Sequence, residues 1–140
     1  LNLRPTTKED IAWIEDRVGV LKRNATSIAA IRDDGSIAGV VAFDSWNPGS
    51  VHCHIALEDK WAWRRLRRAV WTYAFDQEGV AVVLATIPSH RCEAIRAATF
   101  LGFKDSPYRV RDGFCPGSDL VNFYMRRDMC RFLEPQRKAA

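Results

Sequence analysis

At 140 residues the chain fits one domain, a size that typically buries about 70% of the surface exposed by its unfolded form. With 47% hydrophobic and 27% charged residues it is neither disordered nor collagen-like, and no apolar run approaches the roughly 20 residues that span a bilayer. The formal net charge is +4; the start of the chain lacks a basic-then-apolar leader, and Cys53, Cys92, Cys115 and Cys130 are scattered without a C-x-x-C pair, so a soluble cytoplasmic domain with free thiols is expected.

Leu1–Arg4 reads as a short strand ended by Pro5. Thr6 and Glu9 have capping-box spacing, and Ile11, Ile14, Val18 and Leu21 follow at helical period. Ser27–Ile31 and Ile37–Phe43 read as a hairpin, with Asp34-Gly35 supplying the positive φ angles of a tight turn. After Asn47-Pro48-Gly49 comes a third apolar run, Val51–Leu57, and then a helix over about 61–77 with Leu66, Val70, Tyr73 and Gln77 on one stripe. Val80–Ile87 suits a strand covered on both faces, and Pro88-Ser89 open a helix over Cys92–Leu101 that stops at Gly102. Tyr108–Arg111 and Leu120–Arg126 flank a Gly/Pro/Cys loop as a closing hairpin. The fold class is therefore α/β: a mixed, mostly antiparallel sheet with helices on both faces, in the order β-α-β-β-β-α-β-α-β-β.

Positive charge concentrates at Lys60, Arg64, Arg65, Arg67 and Arg68. Three readings stand: phosphate binding, contact with a nucleic acid (the less favoured partner) on which Trp61 and Trp63 could stack, or a solvated helix face. His52 and His54 lie two apart on a strand and share a face, whereas Cys53 points the other way and reads as a buried, inert thiol. No third ligand is fixed by spacing, so no metal site is expected.

This order, with Ile55-Ala56-Leu57, the long helix, Val82-Val83-Leu84-Ala85 and then Ala94-Ile95-Arg96 with Leu101-Gly102-Phe103, resembles the GNAT (Gcn5-related N-acetyltransferase) family over nearly the whole chain. The stretches Val70–Gln77 and Met125–Leu133 resemble small phage-encoded GNAT-like proteins. The resemblance implies a single acyltransferase domain over 1–140 that moves an acetyl group from acetyl-CoA (coenzyme A) directly to an amine acceptor. The alternatives are a binding module of the same fold, for nucleic acid or a host protein, and a nucleobase-modifying enzyme. The family's phosphate signature, Q/R-x-x-G-x-G/A, falls on Ala62-Trp63-Arg64-Arg65-Leu66-Arg67, with arginine at both glycine positions. That implies phosphate gripped by side chains instead of backbone amides.

Carried over residue by residue, the cofactor would lie on Ile55, Ala56, Leu57, Trp63, Arg64, Arg65, Arg67, Arg68, Ser89 and Arg91. The Leu57 backbone N–H would polarise the thioester and His54 would be the base, since Val51 stands where one branch of the family has its glutamate. The family's acidic tyrosine is replaced by Ala98, leaving Tyr124 or Tyr108 on the closing hairpin as substitutes. Trp13, Asp16, Arg17, Trp46, Tyr108 and Asp112 fall where acceptors are bound, without a recognisable pattern. Many relatives pair through their last strands, so Phe123 and Met125 are candidates for a homodimer interface or for core.

Overall fold

The structure is a computed structural model that describes residues 1–134. Its elements are β1 (Asn2–Pro5), α1 (Lys8–Val18), β2 (Thr26–Ile31), β3 (Ile37–Asp44), β4 (Ser50–Leu57), α2 (Lys60–Trp71), β5 (Val82–Pro88), α3 (Cys92–Phe100), β6 (Lys104–Cys115) and β7 (Ser118–Arg126). One sheet holds all seven strands in the order β1-β2-β3-β4-β5-β7-β6, antiparallel except between β4 and β5. The expected α/β class, element order and two-faced helix cover are all present. None of the helices is long and apolar enough to cross a membrane among the described residues.

The cap of α1 sits one residue later than expected. Thr7, not Thr6, accepts from the Asp10 N–H (3.1 Å), because the Thr6 hydroxyl accepts from the Ser27 N–H (2.8 Å) and ties β1 to β2. Asp10 is fully buried and held by the Arg4 guanidinium. In the β2–β3 turn only Gly35 has a positive φ (+86°); the Asp34 carboxylate accepts from the Ser36 N–H and hydroxyl instead.

Two apolar layers flank the sheet. α1 covers β2 to β4 on one face, where Ile14 and Leu21 pack with Ala29, Ile37, Val40 and Ala42. On the other face α2 and α3 cover a larger core that includes Val41, Phe43, Leu66, Trp71, Val83 and Phe123. Since α1 stops short of β5, that strand has one helix-covered face: Val83 and Ala85 are buried while Thr86 is exposed, against the expectation of two. Phe123 and Met125 are core, so they offer no interface.

α2 buries Ala62, Leu66 and Val70 and then runs on as a π-helical turn over Thr72–Gln77, closed by a bond from the Glu78 N–H to the Tyr73 carbonyl. The wider turn rotates the buried stripe onto Trp71, Ala74 and Phe75, which leaves Gln77 exposed and lets the Tyr73 hydroxyl meet that of Thr26 at 2.9 Å. The first turn of α2 lies close on β3 at Gly39. A Cβ there would stand 2.6 Å from Leu57 Cδ2 and 3.2 Å from Ala62 Cβ, so glycine allows the approach. The segment expected as a Gly/Pro/Cys loop is mostly strand. β6 runs on to Cys115 through two register shifts and turns at Pro116-Gly117.

Candidate active site

β4 and β5 pair over only three residues, Ser50 with Val82, Val51 with Val83 and His52 with Leu84. Beyond that point each follows its other neighbour: β4 stays on β3 to Leu57, and β5 stays on β7 to Pro88. The strands diverge and open a cleft of about 630 Å³ that reaches both faces of the sheet. Ala94, Ala97 and Ala98 of α3 line one wall, and these small side chains keep it open; Trp63 and Lys60 of α2 border the other. A second hollow of similar volume, between Ala81, Arg126 and Arg131, lies away from the strand divergence.

The edge of β4 facing the cleft carries free donors. The Glu58 N–H bonds to the Ala38 carbonyl on β3, and the β3–β4 ladder runs from His52 to Leu57 without a register shift. Amides two and four residues before Glu58 therefore also point to β3, and those of Ile55 and Leu57 point into the gap. An oxygen lodged there meets oriented backbone donors.

His54 stands at the cleft wall, its side chain about one-third exposed, and its Nε2 lies 2.8 Å from Asp44 Oδ1. Asp44 is nearly fully buried, and its other oxygen accepts from the Lys22 N–H at 3.0 Å. Burial alone would raise the Asp44 pKa, but the Lys22 N–H and the His54 ring together hold it below the ordinary carboxylate value. An ionised carboxylate only accepts, so His54 Nε2 is the donor, and in the neutral ring the lone pair sits on Nδ1. Among the described residues Nδ1 has no hydrogen-bond partner. His52 shares that face, and burial pushes its pKa down; its Nδ1 is buried without a partner. Cys53 is on the opposite face, where burial lifts its thiol to about 12, so it is no nucleophile at neutral pH.

Of the residues expected at the site, His54, Ile55, Leu57, Trp63 and Arg91 line the cleft. The others do not, each for a visible reason. Ala56 packs beneath α1 with the smaller core. Arg64 and Arg68 lie on the solvent face of α2, Arg65 donates to the Leu1 carbonyl, and Arg67 stacks over Phe132. The Ser89 hydroxyl accepts from the Asp119 N–H and braces β7. Tyr124 shares a cross-strand row with His52 but stands beyond Leu84, one strand further from the gap.

Sequence reasoning missed Asp44, and it named Lys60 only as a member of the basic cluster. Asp44 ends β3 in register with His52, so two-residue alternation puts it on the histidines' face; that was its one signal. Lys60 and Arg91 are the cations that border the cleft, and neither has a carboxylate partner among the described residues. Nearby Glu58 is tied to Arg17 (2.7 Å) and Arg32 (3.9 Å).

No protein-family model matches the chain, and no curated protein matches it in sequence. Solved structures do match. A mutant form of the spermidine N-acetyltransferase SpeG from Vibrio cholerae has a TM-score of 0.74 over 94% of this chain and 95% of that one, at 11% identity. A second mutant form of that protein gives 0.73 over 95% and 98%, at 14% identity. The spermidine/spermine N-acetyltransferase SpeG from the same organism, in complex with manganese ions, gives 0.69 over 89% and 91%, at 13% identity.

Proposed function

The chain has the GNAT fold, and we propose that it is an acetyl-CoA-dependent N-acetyltransferase transferring an acetyl group directly to an amine. The observation that carries this reading is the cleft itself: free β4 amides inside it, and at its wall a histidine held by a buried carboxylate.

The residues present fit the acyl-pantetheine part of the cofactor: an alanine-lined slot beside unpaired strand amides suits a narrow amide-bearing arm. They do not form a glycine cradle for the pyrophosphate. α2 starts at Lys60, earlier than the family signature implies, and the Trp61 N–H is already capped by the Asp59 carboxylate at 2.8 Å. Phosphate contacts in this chain fall to the side chains of Lys60 and Arg91.

When bound, acetyl-CoA supplies an activated acetyl group. The N–H groups of Leu57 and Ile55 hold and polarise a carbonyl oxygen in the gap. His54 Nδ1 accepts the proton that an ammonium must lose before it attacks, and Asp44 stabilises the imidazolium so formed. The cleft opens on the α1 face beside His54, which is where an amine enters. Tyr124 has no part in this scheme.

The test is amine-dependent release of free thiol from acetyl-CoA across a set of primary amines. Turnover that falls about a hundredfold or more in His54→Ala supports the reading. No release above the uncatalysed rate with any amine, from a folded protein, refutes it.

A further inference from the structure

The arginines that the sequence singles out are not absorbed by the cleft. On α2 the exposed positions Trp61, Arg64, Arg65 and Arg68 recur at i, i+3, i+4 and i+7, which is one continuous stripe on the solvent side. The twelve residues of α2 include five cations and no acid, and none of the five is in an ion pair among the described residues. A solvated helix face ordinarily mixes the two signs; here Lys60 with Arg64, and Arg64 with Arg68, are like charges four apart that repel.

Exposed aromatic rings lie among these charges. Trp61 is 53% exposed with the Arg64 guanidinium 5.0 Å from its ring centre. The pattern continues off the helix: Arg67 lies 5.3 Å over Phe132, and Arg131 lies 5.1 Å over Phe132 and 4.5 Å over Phe100, itself 67% exposed. Cations and rings thus alternate from the start of α2 to the end of α3.

We propose that this face binds single-stranded nucleic acid without sequence preference. Unpaired arginines contact the phosphates, and Trp61 offers a ring face that an unstacked base can cover, while Phe100 borders the cleft. An acidic protein surface would satisfy the charges but leave the Trp61 ring unused. The inference rests on the α2 stripe and not on acyl transfer.

The test is fluorescence anisotropy with a labelled oligothymidylate of about 15 nucleotides, titrated between about 50 and 200 mM salt. At about 0.7 per phosphate contact, Arg64, Arg65 and Arg68 give a slope of log K on log salt near −2, and the double variant Arg64→Glu, Arg68→Glu flattens it by about 1.4. Trp61→Ala weakens binding about fivefold or more with the slope unchanged. All three positions are exposed, and unchanged melting midpoints verify the fold. Absence of binding at the lowest salt overturns the proposal. Equal affinity for poly-L-glutamate of matched charge, with Trp61→Ala silent, also overturns it and assigns the stripe to an acidic protein.

Discussion

Asp44→Asn tests the proposed chemistry with almost no change of shape. The wild-type carboxylate accepts twice, from the Lys22 N–H at 3.0 Å and from His54 Nε2 at 2.8 Å. An amide has one accepting end. The Lys22 N–H is a fixed backbone donor, so the amide oxygen faces it and the amide NH₂ faces His54. Nε2 then becomes the acceptor, the ring proton moves to Nδ1, and the atom assigned to the amine loses its lone pair. Losing general-base assistance costs about 10²–10⁴ in kcat, or about 3–5 kcal/mol of barrier at 1.36 kcal/mol per decade. The assay is kcat for wild type, Asp44→Asn, His54→Ala and the double variant, each at several pH values. Because the two residues act as a unit, Asp44→Asn in the His54→Ala background should cost less than about threefold. A kcat within threefold of wild type for Asp44→Asn, or fully additive losses, would refute the assignment of Asp44 as the residue positioning His54.

Three further outcomes follow from the packing and electrostatics. Ala97, on the cleft wall and exposed, changed to Trp should fill the slot and abolish detectable acetyl-CoA binding by calorimetry while leaving the melting midpoint close to wild type. Leu66 is fully buried between α2 and the sheet, so Leu66→Ala should cost about 3 kcal/mol and lower Tm by about 10 °C on a thermal scan. His52 has a folded pKa below its ordinary 6.5, so its neutral ring contributes stability that is whole above pH 6.5 and is lost as pH falls through the lower folded value. Urea midpoints should drop for wild type between about pH 7.5 and 5.5 and drop less for His52→Gln. Asp44 adds a separate loss only below its ordinary 3.8.

The element order was legible because local signals agreed with the final packing: a capped amphipathic helix, an Asp-Gly hairpin and a Leu-Gly helix stop. Misreadings arose where tertiary demand redirected a residue. Ser27 recruited Thr6 and moved the cap to Thr7, and the π turn rotated the α2 stripe away from Gln77. At the site, strand alternation puts His52 and His54 on one face and Cys53 on the other, whereas the Leu57 amide came from the family resemblance. The arginines of the signature stretch lie outside the cleft because Ala62–Arg67 is helical, as the sequence reads it, and the inward stripe of that helix is taken by Ala62, Leu66 and Val70. Asp44 was hidden because its role depends on the register of β3 against β4, which no local pattern states.

The account turns on whether the gap between β4 and β5 takes an acyl thioester, and a thermal-shift titration with acetyl-CoA reads that directly. At about a hundred times Kd, a ligand bound only by the native state adds about 2.7 kcal/mol, or about 8 °C in a chain of this length. The account predicts that rise in wild type and its loss in Ala97→Trp. A wild-type midpoint unmoved at millimolar acetyl-CoA would contradict it.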